Sequence, residues 1–239
     1  MRKLLTLTLA FFFCMCSLFA YTDSFSYLAQ DYDYALLIDS IKENDEYDDF
    51  VSLYEKVFSS LSDTDKVRLE YHMIRYFTDR NENEKASEHL LIQEDYFSLL
   101  ENDGSLSYRL AELDYYSSRY YVDKKISDGL KTNNLTKELY EDYPEENIVA
   151  LTEAFRLLNA PMIAGGSKKK AYTLFYDIYT NLTEVSKTDL FSLLSGLGMS
   201  AYENKEYALS KAYFNASQTI YPADNAMMDY IENLEEKGY

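Results

Sequence analysis

Residues 189–222 read DLFSLLSGLGMSAYENKEYALSKAYFNASQTIYP, and this stretch organises the rest of the chain. It contains two apolar runs of helical length, in which small residues stand at regular distances from bulky ones. Two antiparallel helices cross closely only where one carries a small side chain and the other a bulky one. We therefore expect Gly198, on the first helix, to lie against Ser210 and Phe214 on the second.

The spacing within this stretch resembles the signature of the tetratricopeptide repeat (TPR) family. The signature positions are occupied by Leu194, Leu197, Gly198, Ala201, Ser210, Phe214 and Pro222. The chain departs from the family pattern because it has no Trp and because Ala201 stands where the family usually has Tyr. A second stretch, residues 144–175, looks like a variant repeat of exported bacterial TPR proteins through Gly165, Gly166, Ala171 and Phe175. The resemblance implies a right-handed solenoid of helical hairpins whose concave face binds peptides or other proteins.

Residues 1–20 have the pattern of a secretory signal peptide, with a short basic lead and an uncharged apolar run that ends at Ala20. The run is too short for a membrane anchor. We predict cleavage after Ala20 and a protein of the periplasm or the extracellular space. A lipoprotein attached through Cys14 or Cys16 is the alternative. Because both cysteines of the chain lie in this segment, the mature protein would have no disulfide and would depend on core packing.

The chain is strongly acidic, with 41 acidic and 23 basic residues and a formal net charge of −18. Loss of the signal peptide would leave 21 basic residues and a charge of −20. Such a charge repels nucleic acid and anionic membranes, so we expect no nucleic-acid partner and no stable membrane insertion. Gly and Pro are scarce, with 7 and 3 copies, which favours long helices joined by short turns. The composition therefore predicts an all-α chain.

Apolar residues recur at helical spacing along the remainder of the chain and divide it into three regions. Residues 21–104 show this periodicity without signature residues, which indicates degenerate helical repeats. Residues 105–224 carry the TPR-like repeats. Residues 225–239 are predicted to form a polar capping helix, which a solenoid needs to cover its last apolar face.

Tyrosine is abundant, with 25 copies, and four of these form a cluster that is a candidate binding surface. They are Tyr115, Tyr116, Tyr120 and Tyr121. Successive pairs on a helix cover more than one face, so about half of these rings should pack in the core. The others would be available on the concave face. Tyrosine suits binding surfaces because it offers a large contact area with few rotatable bonds.

Three consecutive lysines, Lys168, Lys169 and Lys170, follow Gly165, Gly166 and Ser167. Two interpretations are open. In the first, Ser167 caps a helix whose lysines are merely exposed. In the second, the free amides of the helix start and the three ammonium groups hold an anion or an acidic segment of a partner. The spacing differs from that of a nucleotide-binding loop.

The sequence contains no recognisable catalytic or metal-binding motif. His72 and His89 are not spaced as metal ligands, no nucleophile elbow is present, and the many carboxylates are typical of a solvated surface. We therefore expect no enzyme activity, no metal and no cofactor. An enzyme would require a polar triad that converges in one cleft.

The expected function is that of an exported scaffold that binds a protein or peptide, with its acidic charge attracting basic partners. The alternative is a ligand-binding accessory component of a periplasmic solute transporter, because the chain is also similar to TPR proteins associated with TRAP-type transporters. An enclosed cavity lined by tyrosines would favour the ligand-binding alternative, and an open groove would favour the scaffold.

Overall fold

The computed structural model describes residues 31–182, 185–222 and 227–239. Within these ranges the chain forms eleven α-helices, one turn of 3-10 helix and no β-strand. The predicted all-α class is therefore confirmed. The predicted signal peptide and both cysteines lie outside the described residues.

The helices are numbered here in chain order. They are α1 (Tyr32–Lys42), α2 (Tyr47–Ser60), α3 (Asp63–Asp79), α4 (Asn83–Leu99), α5 (Leu106–Asp123), α6 (Ile126–Asp142), α7 (Asn147–Asn159), α8 (Lys168–Asn181), α9 (Lys187–Glu203), α10 (Tyr207–Gln218) and α11 (Met228–Glu236). The 3-10 turn, Met162–Ala164, lies between α7 and α8. The predicted boundary at residues 104 and 105 falls in the loop between α4 and α5, and α11 occupies the place of the predicted capping helix.

Consecutive helices from α3 to α10 alternate in direction. Helix α4 is antiparallel to both α3 and α5, so α3 and α5 run parallel to each other. Their contacts show this, because Arg68 pairs with Asp114 and Arg75 stacks on Tyr121, and both pairs are 46 residues apart. Among the helices α3–α10, this alternation places the turns that follow odd-numbered helices at the same end of neighbouring helices. We call this the turn end, and we call the end that carries residues 100–105 and 143–146 the loop end.

Helix α9 is held between α8 and α10 by two contacts between a glycine and an aromatic ring. A Cβ atom on Gly198 would lie 2.5 Å from the ring of Phe214, and the Ser210 hydroxyl donates a hydrogen bond of 2.8 Å to the Gly198 carbonyl. This crossing is the one predicted from the sequence. The second contact was not predicted: a Cβ atom on Gly196 would overlap the ring of Phe175 in α8. The two glycines thus allow α9 to approach both neighbours closely.

The other signature residues lie at or beside these contacts. Those that are buried are Leu194, Leu197, Ala171, Phe175, Ser210 and Phe214. Gly165 has a φ of 89°, and a Cβ atom on Gly166 would collide with the carbonyl oxygen of Ala160, so both positions require glycine. Pro222 differs from the rest because it is exposed, just after α10.

The N-terminal helices α1–α4 enclose a buried polar group within an aromatic core. The carboxylate of Glu70 is fully buried; it accepts a hydrogen bond of 2.5 Å from the Tyr54 hydroxyl and lies 2.6 Å from Nδ1 of His89. The imidazole of His89 stacks on Phe77, with 5.0 Å between ring centroids. Since three helices supply these groups, the polar contacts fix the relative positions of α2, α3 and α4.

Five apolar clusters follow one another along the chain, and each shares helices with the next. Within the described residues, none of these clusters joins α1 to α9 or to the end of α10. There the contact is polar: Oδ1 of Asp39 accepts a hydrogen bond of 2.5 Å from Tyr221 and lies 3.0 Å from Nζ of Lys187. We call these three residues the polar junction. It connects α1, the first helix of the described residues, with the hairpin of α9 and α10.

Candidate functional site

The four tyrosines predicted as a binding surface on α5 contact different neighbours. Tyr115 is 5% exposed, its ring stacks on Phe97 of α4 at 4.4 Å, and its hydroxyl donates to Glu94. Tyr115 therefore belongs to the core, and its assignment to the binding surface is corrected. Its position on the α4 side of the helix is the reason.

Tyr116 and Tyr120 lie on the side of α5 that faces α6. Tyr116 is half-buried against the apolar cluster of α5, α6 and α7, while Tyr120 is exposed and its ring covers Gly129, where a Cβ atom would lie 3.0 Å away. Tyr121 instead contacts α3. The four tyrosines therefore do not lie on one face, because they contact three different helices, α3, α4 and α6.

Tyr121 forms a second grouping with residues of α3. The guanidinium carbon of Arg75 lies 4.2 Å from the centroid of the Tyr121 ring, and the Tyr71 ring is 6.4 Å from the same centroid. Nζ of Lys124 lies 5.9 Å from it. We call Tyr71, Arg75 and Tyr121 the α3–α5 cluster. It lies where the two parallel helices meet, and Tyr121 there contacts neither α4 nor α6 among the described contacts.

The α3–α5 cluster offers hydrogen-bond donors beside aromatic rings. One terminal nitrogen of Arg75 lies 3.3 Å from Asp79, but its Nε has no hydrogen-bond partner within the described part of the chain. Burial raises the pKa of the Tyr71 hydroxyl, and the neighbouring Tyr121 raises it further. Tyr71 therefore keeps its proton at neutral pH and remains a donor. The unpartnered N–H is itself buried, so it is an unsatisfied donor inside the α3–α5 contact and lies below the molecular surface.

A buried ion pair fixes the two helices that carry this cluster. Nε of Arg68 lies 2.8 Å from Asp114, and the two side chains are 5% and 14% exposed. A planar guanidinium holds a carboxylate in a defined geometry. The pair therefore sets the register of α3 against α5, one helical turn or more before the cluster itself.

Of the three lysines at the start of α8, only two are exposed. The hydroxyl of Ser167 accepts a hydrogen bond of 3.3 Å from the amide of Lys170, which confirms the predicted N-cap. The ammonium group of Lys168 donates to the carbonyl of Leu158 at the end of α7. Lys168 thus ties two helices together, while Lys169 and Lys170 are exposed.

A tyrosine surface that was not predicted lies on α8 and α10. Tyr172 and Tyr176 stack at 6.1 Å, Tyr176 and Tyr179 are exposed, and Tyr213 of α10 lies beside Tyr172. Burial, followed by the effect of the neighbouring Tyr172 hydroxyl, raises the pKa of Tyr213. We call these four residues the α8 tyrosine stripe. The helical spacing of its first three members was a signal in the sequence that could have indicated it.

The two histidines occupy packed positions. His89 belongs to the buried contact with Glu70 and Tyr54, and the ring of His72 lies 5.6 Å from that of Tyr71. In the part of the chain that the structure describes, no three His, Cys, Asp or Glu residues are grouped so that they could hold a metal ion. Nor does any described helix have the length and apolar character needed to cross a membrane.

A cavity of about 260 Å³ lies between α10 and α11. Phe214, Ile231 and Leu234 form its apolar wall, and Lys211 and Tyr239 lie at its edge. It thus has a single tyrosine and differs from the tyrosine-lined, enclosed cavity that the ligand-binding alternative requires.

No protein-family model, no curated protein and no solved structure matches this chain. The function is therefore inferred from the arrangement of the chain's own residues. Two of these arrangements place aromatic rings beside polar groups: the α3–α5 cluster, whose rings are half-buried, and the α8 tyrosine stripe, which has exposed rings.

Proposed function

We propose that the chain is a TPR-like scaffold of stacked helical hairpins that binds a protein or peptide partner. The binding surface would be a concave face lined by the odd-numbered helices, as the family resemblance implies. Three features support the stacking: the alternating direction of α3 to α10, the parallel course of α3 and α5, and the close approach of α9 to both of its neighbours.

The single observation that carries the proposal is the α3–α5 cluster. Arg75 has a buried Nε without a hydrogen-bond partner among the described residues, and the half-buried rings of Tyr71 and Tyr121 lie beside it. A peptide laid across α3 and α5 would contact the partly exposed rings, and one of its carbonyl oxygens would reach the buried Arg75 Nε only after a shift of the surrounding side chains. Arginine and tyrosine are the residue types that contribute most to binding free energy at interfaces.

The acidic charge of the chain suggests which partners would approach. With a formal charge of −18, the surface attracts basic proteins and accelerates their encounter at low ionic strength. We therefore propose a partner that is basic overall.

Export to the periplasm or the extracellular space belongs to the same proposal. It depends on residues 1–20, whose basic lead and apolar run are typical of a cleaved signal. N-terminal sequencing of the protein recovered from its host tests this point. A first residue of Tyr21 is expected, and recovery of an intact Met1 from the cytoplasm would contradict it.

Binding is tested with a peptide selected from a displayed random library on the purified chain. The peptide is labelled with fluorescein and titrated by anisotropy against the wild type, Tyr121→Ala and, as a matched control, Tyr176→Ala. The first variant should weaken binding about tenfold, as expected for an aromatic residue at an interface centre, and the control should not. The reverse result would assign binding to the α8 tyrosine stripe and refute the concave-face proposal.

A further inference from the structure

The turn between α7 and α8 holds two apolar side chains in solvent. Met162 is 87% exposed and Ile163 is 98% exposed. We call these two residues the apolar tip. The amide of Gly165 donates to the carbonyl of Met162 at 3.0 Å, and the amide of Gly166 donates to Pro161 at 3.0 Å. Because the backbone of the turn is closed by these bonds, the tip is presented in a defined geometry.

Three lysines lie near the turn that carries the apolar tip. Nζ of Lys137 would lie 3.5 Å from a Cβ atom built on Gly165, and Lys169 and Lys170 are exposed on the first turn of α8. None of the three lysines is in an ion pair with the residues that the structure describes, although acidic residues outnumber basic ones by 41 to 23. The tip therefore carries a local positive charge on an acidic protein.

The charge of the molecule is also distributed unevenly along its helices. The apolar tip lies at the turn end, where residues 124–125 are both lysine, one of them paired with Asp123. The adjacent turn, residues 204–206, has one lysine and one glutamate. At the loop end, residues 100–105 and 143–146 each contain two acidic residues and no basic one. The turns that follow α5 and α9 thus carry less acidic charge than these two loops, although residues 43–46, which follow α1, contain three acidic residues and no basic one.

We propose that the turn end docks on an anionic phospholipid bilayer, with Met162 and Ile163 in the interface and the lysines at the headgroups. The two side chains protrude almost fully into solvent, and a bilayer interface accepts protruding apolar side chains next to lysines without a preformed cavity. Charges beyond a screening length of about 8–10 Å contribute little at physiological salt, so the acidic loop end opposes docking weakly. The contact is peripheral and reversible, unlike a membrane-spanning insertion.

The absence of Trp from the chain makes a direct test possible. The variant Ile163→Trp places the only Trp at the tip, and Leu99→Trp, at a position that is 65% exposed next to the loop end, is the matched control. Each is mixed with phosphatidylserine–phosphatidylcholine vesicles and with phosphatidylcholine vesicles. Only Ile163→Trp should show a blue-shifted emission that spin-labelled lipid quenches, and only with the anionic vesicles.

An unshifted Ile163→Trp emission would overturn the proposal. Equal shifts in both variants would also overturn it, because another part of the chain would then bring the protein to the vesicles. Residues 1–30 are the same in both variants, so their contribution cancels in the comparison. A shift with polyglutamate, but not with vesicles, would assign the tip to an acidic protein instead.

The lysines are tested in the Ile163→Trp background. Lys169→Glu combined with Lys170→Glu should raise the vesicle concentration at half-maximal shift by about tenfold or more. Lys211→Glu, on the exposed face of α10, is the control and should leave it unchanged. An unaltered midpoint in the double variant would contradict the assigned role of the lysines. Circular dichroism checks that all variants keep their helices.

Discussion

The N-terminal helices α1–α4 and the C-terminal helices α7–α10 pack closely by different means. In the C-terminal region, Phe175 and Phe214 fill the space left by glycines at 196 and 198. In the N-terminal region, aromatic rings surround a buried carboxylate, Glu70, that is bonded to Tyr54 and lies against His89. The C-terminal region depends on glycines that leave room for aromatic rings. The N-terminal region depends on buried polar groups that form hydrogen bonds with one another.

The two kinds of packing are sensitive to opposite changes. A glycine–ring contact is disrupted by an added side chain, since the ring or the helix that carries the glycine must then shift. A buried polar group is disrupted by the loss of a partner, since the remaining group keeps its desolvation cost without a hydrogen bond. The C-terminal region should therefore be most sensitive to substitutions that enlarge a glycine, and the N-terminal region to substitutions that remove a polar group.

The largest expected effect is the loss of an interlocking ring in the C-terminal region. Phe214→Ala should lower the free energy of unfolding by about 4 kcal/mol, through lost burial and the cavity beside Gly198. Urea denaturation followed by circular dichroism measures it. Hydrogen exchange should show weakened protection in α9 and α10 with α1–α4 unchanged. A uniform loss of protection would mean that the two regions are not separable.

Adding a side chain at Gly198, opposite the Phe214 ring, should lower the free energy of unfolding slightly less. Gly198→Val should destabilise by about 3 kcal/mol, because its side chain would overlap the Phe214 ring. Combining it with Phe214→Leu should recover part of the loss, which a double-mutant cycle detects. Strict additivity of the two substitutions would show that the contact does not limit the approach of the helices.

A polar substitution should have an intermediate effect in the N-terminal region. Glu70→Gln keeps the shape of the side chain but exchanges an acceptor for a donor, and it should cost about 2 kcal/mol. Tyr54→Phe, which removes the hydrogen bond from the same carboxylate, should cost about half of that. If Glu70→Gln were neutral in urea denaturation, the polar contacts would not be what orders these helices.

The smallest effect is expected where the two regions meet. Asp39→Asn, at the polar junction, should cost about 1 kcal/mol at low salt and less at high salt, because charge attraction is screened. Lys56→Gln, in an exposed pair with Asp33, is a control of similar chemistry within one region. Distances between spin labels on α1 and α10 should broaden only in the Asp39 variant. An unchanged distribution would indicate that other contacts hold the junction.

The sequence predicted the parts of this fold that follow from local size and spacing. The all-α class and the crossing at Gly198 could be predicted because glycine, serine and phenylalanine stand at fixed intervals on two adjacent helices. Gly196 belongs to the same pattern of small residues, but the ring that it contacts, Phe175, lies on the preceding helix. This pair was not among the predicted contacts. The polar contact at Glu70 could not be predicted, since its members lie on three helices with no common spacing.

The candidate site was only partly predictable for a similar reason. Neighbouring residues of a helix point about 100° apart, so the partners of Tyr115 and Tyr121 depend on which helices lie on each side. Their separation into the core and the α3–α5 cluster is a tertiary effect. The exposure of Met162 and Ile163 was equally hidden, because apolar residues in a sequence are usually expected inside the protein.

The most direct test of the scaffold proposal is a hydrogen-exchange footprint of the selected peptide on the full chain. Binding on the concave face should slow exchange in α3 and α5, around Tyr71, Arg75 and Tyr121, and leave α8 and α10 unchanged. Protection confined to α8 and α10 would contradict the proposal, since the partner would then lie on the α8 tyrosine stripe.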